Sequence, residues 1–239
     1  MSVYEGKSLN LPETAALTRM KGLGAISIIL ILSIALAAAV YVEAVDQPHF
    51  PEFYRVACVG DSITQITSYP NDLQTLLGSK STVGNFGVSG STVILTSPKP
   101  YMYEDALQGA IQFKPTTVII MLGTNDARSD VYFSIDRFVN DYKQIISQFQ
   151  SLKSKPRIFL VIPPPVFNNT ININGADLVS GVDPRIEQVA NETGLPLINV
   201  YAQLLNHPDY FLDGVHPNNE GAQVIANTIY QQITSSQET

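Results

Sequence analysis

From Tyr54 onward the chain alternates short apolar runs with segments whose apolar residues recur at helical spacing. The strand candidates are Tyr54–Val59, Thr82–Phe86, Thr117–Leu122, Arg157–Ile162 and Leu197–Val200. Val56–Val59, Val118–Leu122 and Ile158–Ile162 are nearly continuous hydrophobics, the pattern of strands covered on both faces. Helix candidates lie between them at Tyr69–Leu77, Glu104–Phe113, Ile135–Leu152 and Pro184–Thr193, with a last one from Glu220 to Ile233. The fourth carries Asp183 as a predicted cap, Pro184 at its first position and Gly194 at its end. Strands alternating with helices predict right-handed crossovers and a three-layer α/β fold. Five such strands suit a flavodoxin-like, doubly wound parallel sheet.

The amino-terminal part has a different pattern. Residues 1–22 are a polar leader. Leu23 to Val42 carry no charge, and about 20 apolar residues suffice for a transmembrane helix. Arg19 and Lys21 precede the run, while Glu43 and Asp46 follow it. This asymmetry predicts a cytoplasmic amino terminus and a lumenal or extracellular domain. Insertion into a mitochondrial membrane is a second expectation. A cleaved signal peptide competes with the anchor, with Val42-Glu43-Ala44 as its small-residue site. Residues 43–53 contain a proline-bearing linker, and the main domain is expected over 54–239.

Composition narrows the function. The formal charge of −7 argues against nucleic acid as a partner. Setting aside the leader's three bases and two acids leaves 11 Lys/Arg against 19 Asp/Glu, so the remainder is still more acidic. The single cysteine, Cys58, excludes an intrachain disulfide and reads as a small core residue. The three histidines, His49, His207 and His216, form no Cys/His cluster of the zinc-binding kind. No metal or organic cofactor is implied. Asn168-Asn169-Thr170 and Asn191-Glu192-Thr193 are sequons compatible with a lumenal or extracellular domain.

The polar residues concentrate where the strands end, and the carboxyl ends of a parallel sheet lie along one edge. Gly60-Asp61-Ser62 follows the first strand, and Ser62 there is either a nucleophile or part of a helix cap. Asn85 to Thr92 follow the second strand, Gly123-Thr124-Asn125-Asp126 the third, and Pro163-Pro164-Pro165 the fourth. Asp213-Gly214-Val215-His216-Pro217 precedes the final helix. A serine hydroxyl needs a base, and His216 is the best placed of the three histidines. Asp213, three residues earlier, can orient its imidazole. Gly90, through its backbone N–H, and Asn125, through its side-chain amide, are candidate oxyanion donors. The competing readings are turns: glycines and Asn-Asp pairs make turns, and Asp-Gly-Val-His can be a helix cap. The G-x-S-x-G elbow of the α/β-hydrolases is absent around Ser62.

The blocks beginning at Gly60, Asn85, Gly123 and Asp213, in this order, resemble the SGNH (GDSL-like) hydrolases, over roughly Arg55 to Ile233. The resemblance implies Ser62 as nucleophile, His216 as base and Asp213 as its orienter. It implies an oxyanion hole made by the N–H groups of Ser62 and Gly90 with the Asn125 amide. Tyr69-Pro70, the Met121–Asp126 block and the three prolines look most like sialate O-acetylesterase-like and carbohydrate acetylesterase members. The implied activity is hydrolysis of a small acyl ester, acetyl above all, on a substrate such as an acetylated sugar. The chain departs from the pattern after Ser62-Ile63-Thr64, where Gln65-Ile66-Thr67-Ser68 leads straight to Tyr69. That departure and the anchor motivate a competing expectation: an accessory subunit of a membrane complex that keeps the fold for its shape. A carbohydrate-binding module using the same cleft is a third.

Overall fold

The structure, a computed structural model, describes residues Tyr54–Ser235. The leader, the expected anchor over 23–42, the linker residues before Tyr54 and His49 lie outside them. Among the described residues no helix is long and apolar enough to cross a membrane.

Five strands form one sheet: β1 (Tyr54–Gly60), β2 (Ser81–Gly87), β3 (Thr117–Met121), β4 (Arg157–Ile162) and β5 (Leu197–Asn199). Their order is β2-β1-β3-β4-β5, with every neighbouring pair parallel. This is the flavodoxin-like order expected from the sequence. Successive side chains of a strand point to opposite faces, so each continuous apolar run feeds two cores at once. Ala57, Val59, Val118, Ile120, Leu160 and Ile162 enter one core, while Val56, Cys58, Ile119, Met121, Phe159 and Val161 enter the other.

The larger helices are α1 (Ser62–Ile66), α2 (Tyr69–Leu77), α3 (Asp105–Gln112), α4 (Phe138–Gln150), α5 (Asp183–Thr193), α6 (Val200–Leu204) and α7 (Asn219–Ser235). Leu107 and Ala110 of α3, Phe138, Tyr142 and Phe149 of α4, and Ile186 and Val189 of α5 bury one face of the sheet. Leu73 of α2, Leu204 of α6, and Ile225 and Ile229 of α7 bury the other. Cys58 is fully buried, and burial pushes its thiol up to about 12, so it behaves as a core residue.

Two expectations are corrected. The predicted Ile135–Leu152 helix begins as a 3-10 turn over Ile135–Arg137 and becomes α-helical only at Phe138. Asp183 does not cap α5. Helical backbone starts at Gly175 with Asn174 as its cap, and a π-helical turn over Leu178–Val182 leads into Asp183. Pro184 has no N–H to offer the preceding turn, and the wider π turn accommodates it. Asp183 is buried, and among the described residues its Oδ1 has no hydrogen-bond partner.

One loop is fixed by a carboxylate rather than by sheet or helix. Asp126, fully buried, accepts from Val93 N–H at 2.9 Å and from Ile94 N–H at 2.9 Å. Asp141 on α4 accepts from Leu95 N–H at 2.9 Å. The segment after β2 is thereby tied to the end of β3 and to α4.

Two stability measurements test this account. Asp126→Ala leaves two buried N–H groups without acceptors and should cost about 3 kcal/mol in urea unfolding; a loss under about 1 kcal/mol would contradict the anchoring role. Burial, then the neighbouring Glu187, push Asp183 up to about 7 from its usual 3.8. A raised carboxyl stabilises the fold below its unfolded pKa, and that contribution is lost as pH rises through about 7. Asp183→Asn should therefore gain about 1 kcal/mol over wild type at pH 8 and little at pH 4. Equal differences at the two pH values would refute the burial argument.

Candidate active site

β1 ends at Gly60, where the chain passes so close to its neighbours that no side chain fits. A Cβ there would run into the Thr64 hydroxyl and come within 2.7 Å of Met121 O. Asp61 follows, 1% exposed, and its Oδ1 accepts from Ile63 N–H at 2.9 Å as the cap of α1. Ser62 is thus the first residue of a helix, where N–H groups have no partner within the helix. The cap and the serine are not rival readings: Asp61 caps, and Ser62 stands at the helix start with its hydroxyl toward His216.

Ser62 Oγ lies 2.8 Å from His216 Nε2, and His216 Nδ1 lies 2.6 Å from Asp213 Oδ2. With the proton on Nδ1, the imidazole donates to Asp213 and accepts from Ser62. Asp213 Oδ1 in turn accepts from the N–H groups of Val215 and His216, at 2.9 and 2.7 Å. Partial desolvation raises the Asp213 carboxyl, but these hydrogen bonds outweigh it and hold it below the usual carboxylate range. The Asp213–His216 loop is backed by the segment after β4. Phe167 N–H donates to Gly214 O at 2.8 Å, and Asn169 Nδ2 holds Phe167 O and Ile173 O at 3.0 and 2.8 Å. His207 lies apart from the pair, stacked on Tyr210 with ring centroids 4.7 Å apart.

Gly90 has φ +78°, a conformation that favours glycine. A Cβ there would meet nothing within 4 Å, so the backbone angle, not crowding within the chain, requires the glycine. Asn125 is buried, and its Nδ2 donates to Ser91 O at 3.0 Å, while the second amide hydrogen has no acceptor among the described residues. The bond joins the β3 end to the turn that carries Gly90.

Asp61 adds a second acid behind the serine. Burial pushes it up to about 6, against the pull of Ile63 N–H, the Thr124 hydroxyl and His216. Among the described residues its Oδ2 and the Thr124 hydroxyl oxygen are buried without a well-formed hydrogen bond. Among the described residues no group of three or more His, Cys, Asp or Glu could hold a metal ion.

The residues singled out in the sequence, Ser62, Gly90, Asn125, Asp213 and His216, therefore stand on one edge of the sheet. The reading missed those that fix them. Asp126 looked like half of an Asn-Asp turn. Gln65 looked only like a departure from the pattern; its Oε1 accepts from Ser89 N–H at 2.8 Å and from Ser89 Oγ at 2.5 Å. Gly87 packs so closely against Gln65 that a Cβ there would come within 2.7 Å of the Gln65 Cα. The nearest signal was the alternation of glycines and hydroxyls in Gly87-Val88-Ser89-Gly90-Ser91, which needs outside partners to hold one shape.

Comparison with known proteins places this arrangement. An acetylxylan esterase from Xylanibacter ruminicola is 35% identical over 205 residues, which cover 75% of this chain and 43% of that protein. A GDSL esterase/lipase of Arabidopsis thaliana is 21% identical over 174 residues, 64% of this chain and 66% of that one. The chain thus spans less than two thirds of either relative. The fold matches a carbohydrate acetylesterase family member from Sinorhizobium meliloti, with TM-score 0.63 and 17% identity over 78% of this chain and all of that one. It also matches an aryl esterase of M. smegmatis, with TM-score 0.56 and 18% identity over 76% of this chain and 99% of that one. Residues 58–224, which hold every strand end described above, match the family model, and the chain belongs to the GDSL-like lipase/acylhydrolase family.

Proposed function

We propose that the chain is a serine esterase that removes small acyl groups, acetyl above all, from carbohydrate esters. The observation that carries this reading is the Ser62–His216–Asp213 relay, at 2.8 and 2.6 Å. Ser62 Oγ attacks the ester carbonyl while His216 Nε2 takes its proton. Asp213 stays ionised, fixes the imidazole tautomer and stabilises the imidazolium as it forms. The N–H groups of Ser62 and Gly90 and the free Asn125 amide hydrogen receive the negative charge that builds on the carbonyl oxygen. His216 returns the proton to the leaving alcohol, and an acyl-enzyme remains on Ser62. Water then attacks that ester, with His216 again as base, and releases the acid.

The acetylated carbohydrate is supported by the acetylxylan esterase and the acetylesterase-type neighbours. The exposed setting of the relay supports it too: the Asp213 side chain is 51% exposed, so the catalytic edge is open to a bulky alcohol. The apolar run 23–42 supports a membrane anchor that carries this domain on the lumenal or extracellular side.

Turnover of an aryl acetate tests the chemistry. Ser62→Ala should lower kcat by about 10⁴-fold or more while leaving the urea midpoint unchanged; a variant retaining wild-type turnover would sink the esterase reading. Asn125→Ala should lower kcat about 10²-fold with little change in KM, as expected for a donor used mainly in the transition state. A rise in KM alone would assign Asn125 to ground-state binding instead.

A further inference from the structure

The Gly90 N–H belongs to the peptide that joins Ser89 to Gly90, and the direction of that peptide is not fixed by the turn alone. Val88 to Ser91 form a tight turn in which Ser91 N–H donates to Val88 O at 3.1 Å. Gly90, in the third position, has φ +78°, as a type II turn requires. Type I and type II turns differ in the orientation of their central peptide, which here is Ser89–Gly90. A trans peptide is planar and points its C=O and N–H in opposite directions. Whatever holds Ser89 O therefore determines where Gly90 N–H points.

That group is Lys99. Its Nζ donates to Ser89 O at 2.9 Å. Its backbone is held in turn: Thr92 N–H donates to Lys99 O at 3.0 Å, and Lys99 N–H donates to Ser97 Oγ at 3.3 Å. The peptide on the other side of Ser89 is gripped by Gln65, which sits one turn beyond Ser62 on the same helix. Among the described residues the Gly90 N–H has no hydrogen-bond acceptor. A charged donor makes a stronger bond than a neutral one. It also draws electron density toward Ser89 O, which makes the N–H of the same peptide a better donor.

We propose that Lys99 is a positioning residue for the oxyanion hole: its ammonium holds the Ser89–Gly90 peptide so that the Gly90 N–H faces the reacting carbonyl. The inference rests on the esterase reading of the same edge. It also gives Gln65 and Lys99 a joint role, holding the two peptides that flank Ser89.

Lys99→Met keeps the aliphatic stem and removes the donor, while Lys99→Arg keeps a charged donor. Loss of a whole oxyanion donor costs about 10²–10³ in kcat, and misdirecting one of three should cost about tenfold. The expected result is a Lys99→Met kcat about tenfold below wild type on an aryl acetate, with KM and the urea midpoint unchanged, and recovery of most of the loss in Lys99→Arg. A second readout needs no turnover: in ¹⁵N-glycine-labelled protein the Gly90 amide resonance should move in Lys99→Met and return toward its wild-type position in Lys99→Arg. A Lys99→Met variant with wild-type kcat overturns the proposal while leaving the esterase reading intact, provided Ser62→Ala is inactive. A wild-type protein without turnover refutes the esterase reading instead. An unmoved Gly90 resonance overturns the proposal in either case.

Discussion

Two backbone N–H groups, those of Val93 and Ile94, end on the buried carboxylate of Asp126. The edge that carries Asn125 and the Gly90 turn depends on that contact. A peptide N–H out of water must find an acceptor, and a loop that passes over a sheet edge has no strand to supply one. Asp126 supplies it from the end of β3. The residue before it, Asn125, is thereby placed so that its Nδ2 donates to Ser91 O, in the turn that carries Gly90. The acceptor has to be an acid or an amide, and in this dry setting the acid carries a cost. Burial pushes Asp126 up to about 7, against the N–H groups of Val93 and Ile94, and the nearby Asp61 adds to the rise. Geometry at the edge is maintained at the expense of crowding acidic groups beneath it.

How much of this was legible in the sequence follows from the range of each interaction. The strands were legible because burial on both faces demands a continuous apolar run, and Val118–Leu122 or Ile158–Ile162 can hardly be read otherwise. Their order followed from strand count and alternation. Ser62 was picked out because it sits at a strand end, where polar residues are out of place unless they are used, and His216 and Asp213 because a serine needs a base and that base an orienting acid. Asp126, Gln65 and Lys99 were not, because their partners lie in other loops. A side chain that holds a distant peptide leaves no local mark. Asp183 failed for a related reason: Asp before Pro is a sound cap in isolation, and only the π turn upstream carries the helix past it.

The residues after Ser62 show how a departure from a pattern can be read two ways. Seen in the sequence, the short passage from Thr64 to Tyr69 was a departure that helped motivate an accessory-subunit expectation. In the structure it packs: the Thr64 hydroxyl meets Tyr69 OH at 2.9 Å, and Asn85 Nδ2 donates to Thr64 O at 2.8 Å. Gln65 holds the Ser89 backbone from the helix that begins at Ser62. The shortened passage thus ties the helix that begins at Ser62 to the turn that carries Gly90.

The relay joins residues 154 positions apart in the chain. Ser62 follows the first strand, and His216 follows the last. The histidine loop is buttressed by the segment after β4 and stands just ahead of α7, which closes one face of the sheet. A ribosome must therefore release nearly the whole domain before serine and imidazole can meet. On the esterase reading, a nascent chain that carries Ser62 early has no base for it until the segment bearing His216 has emerged and packed.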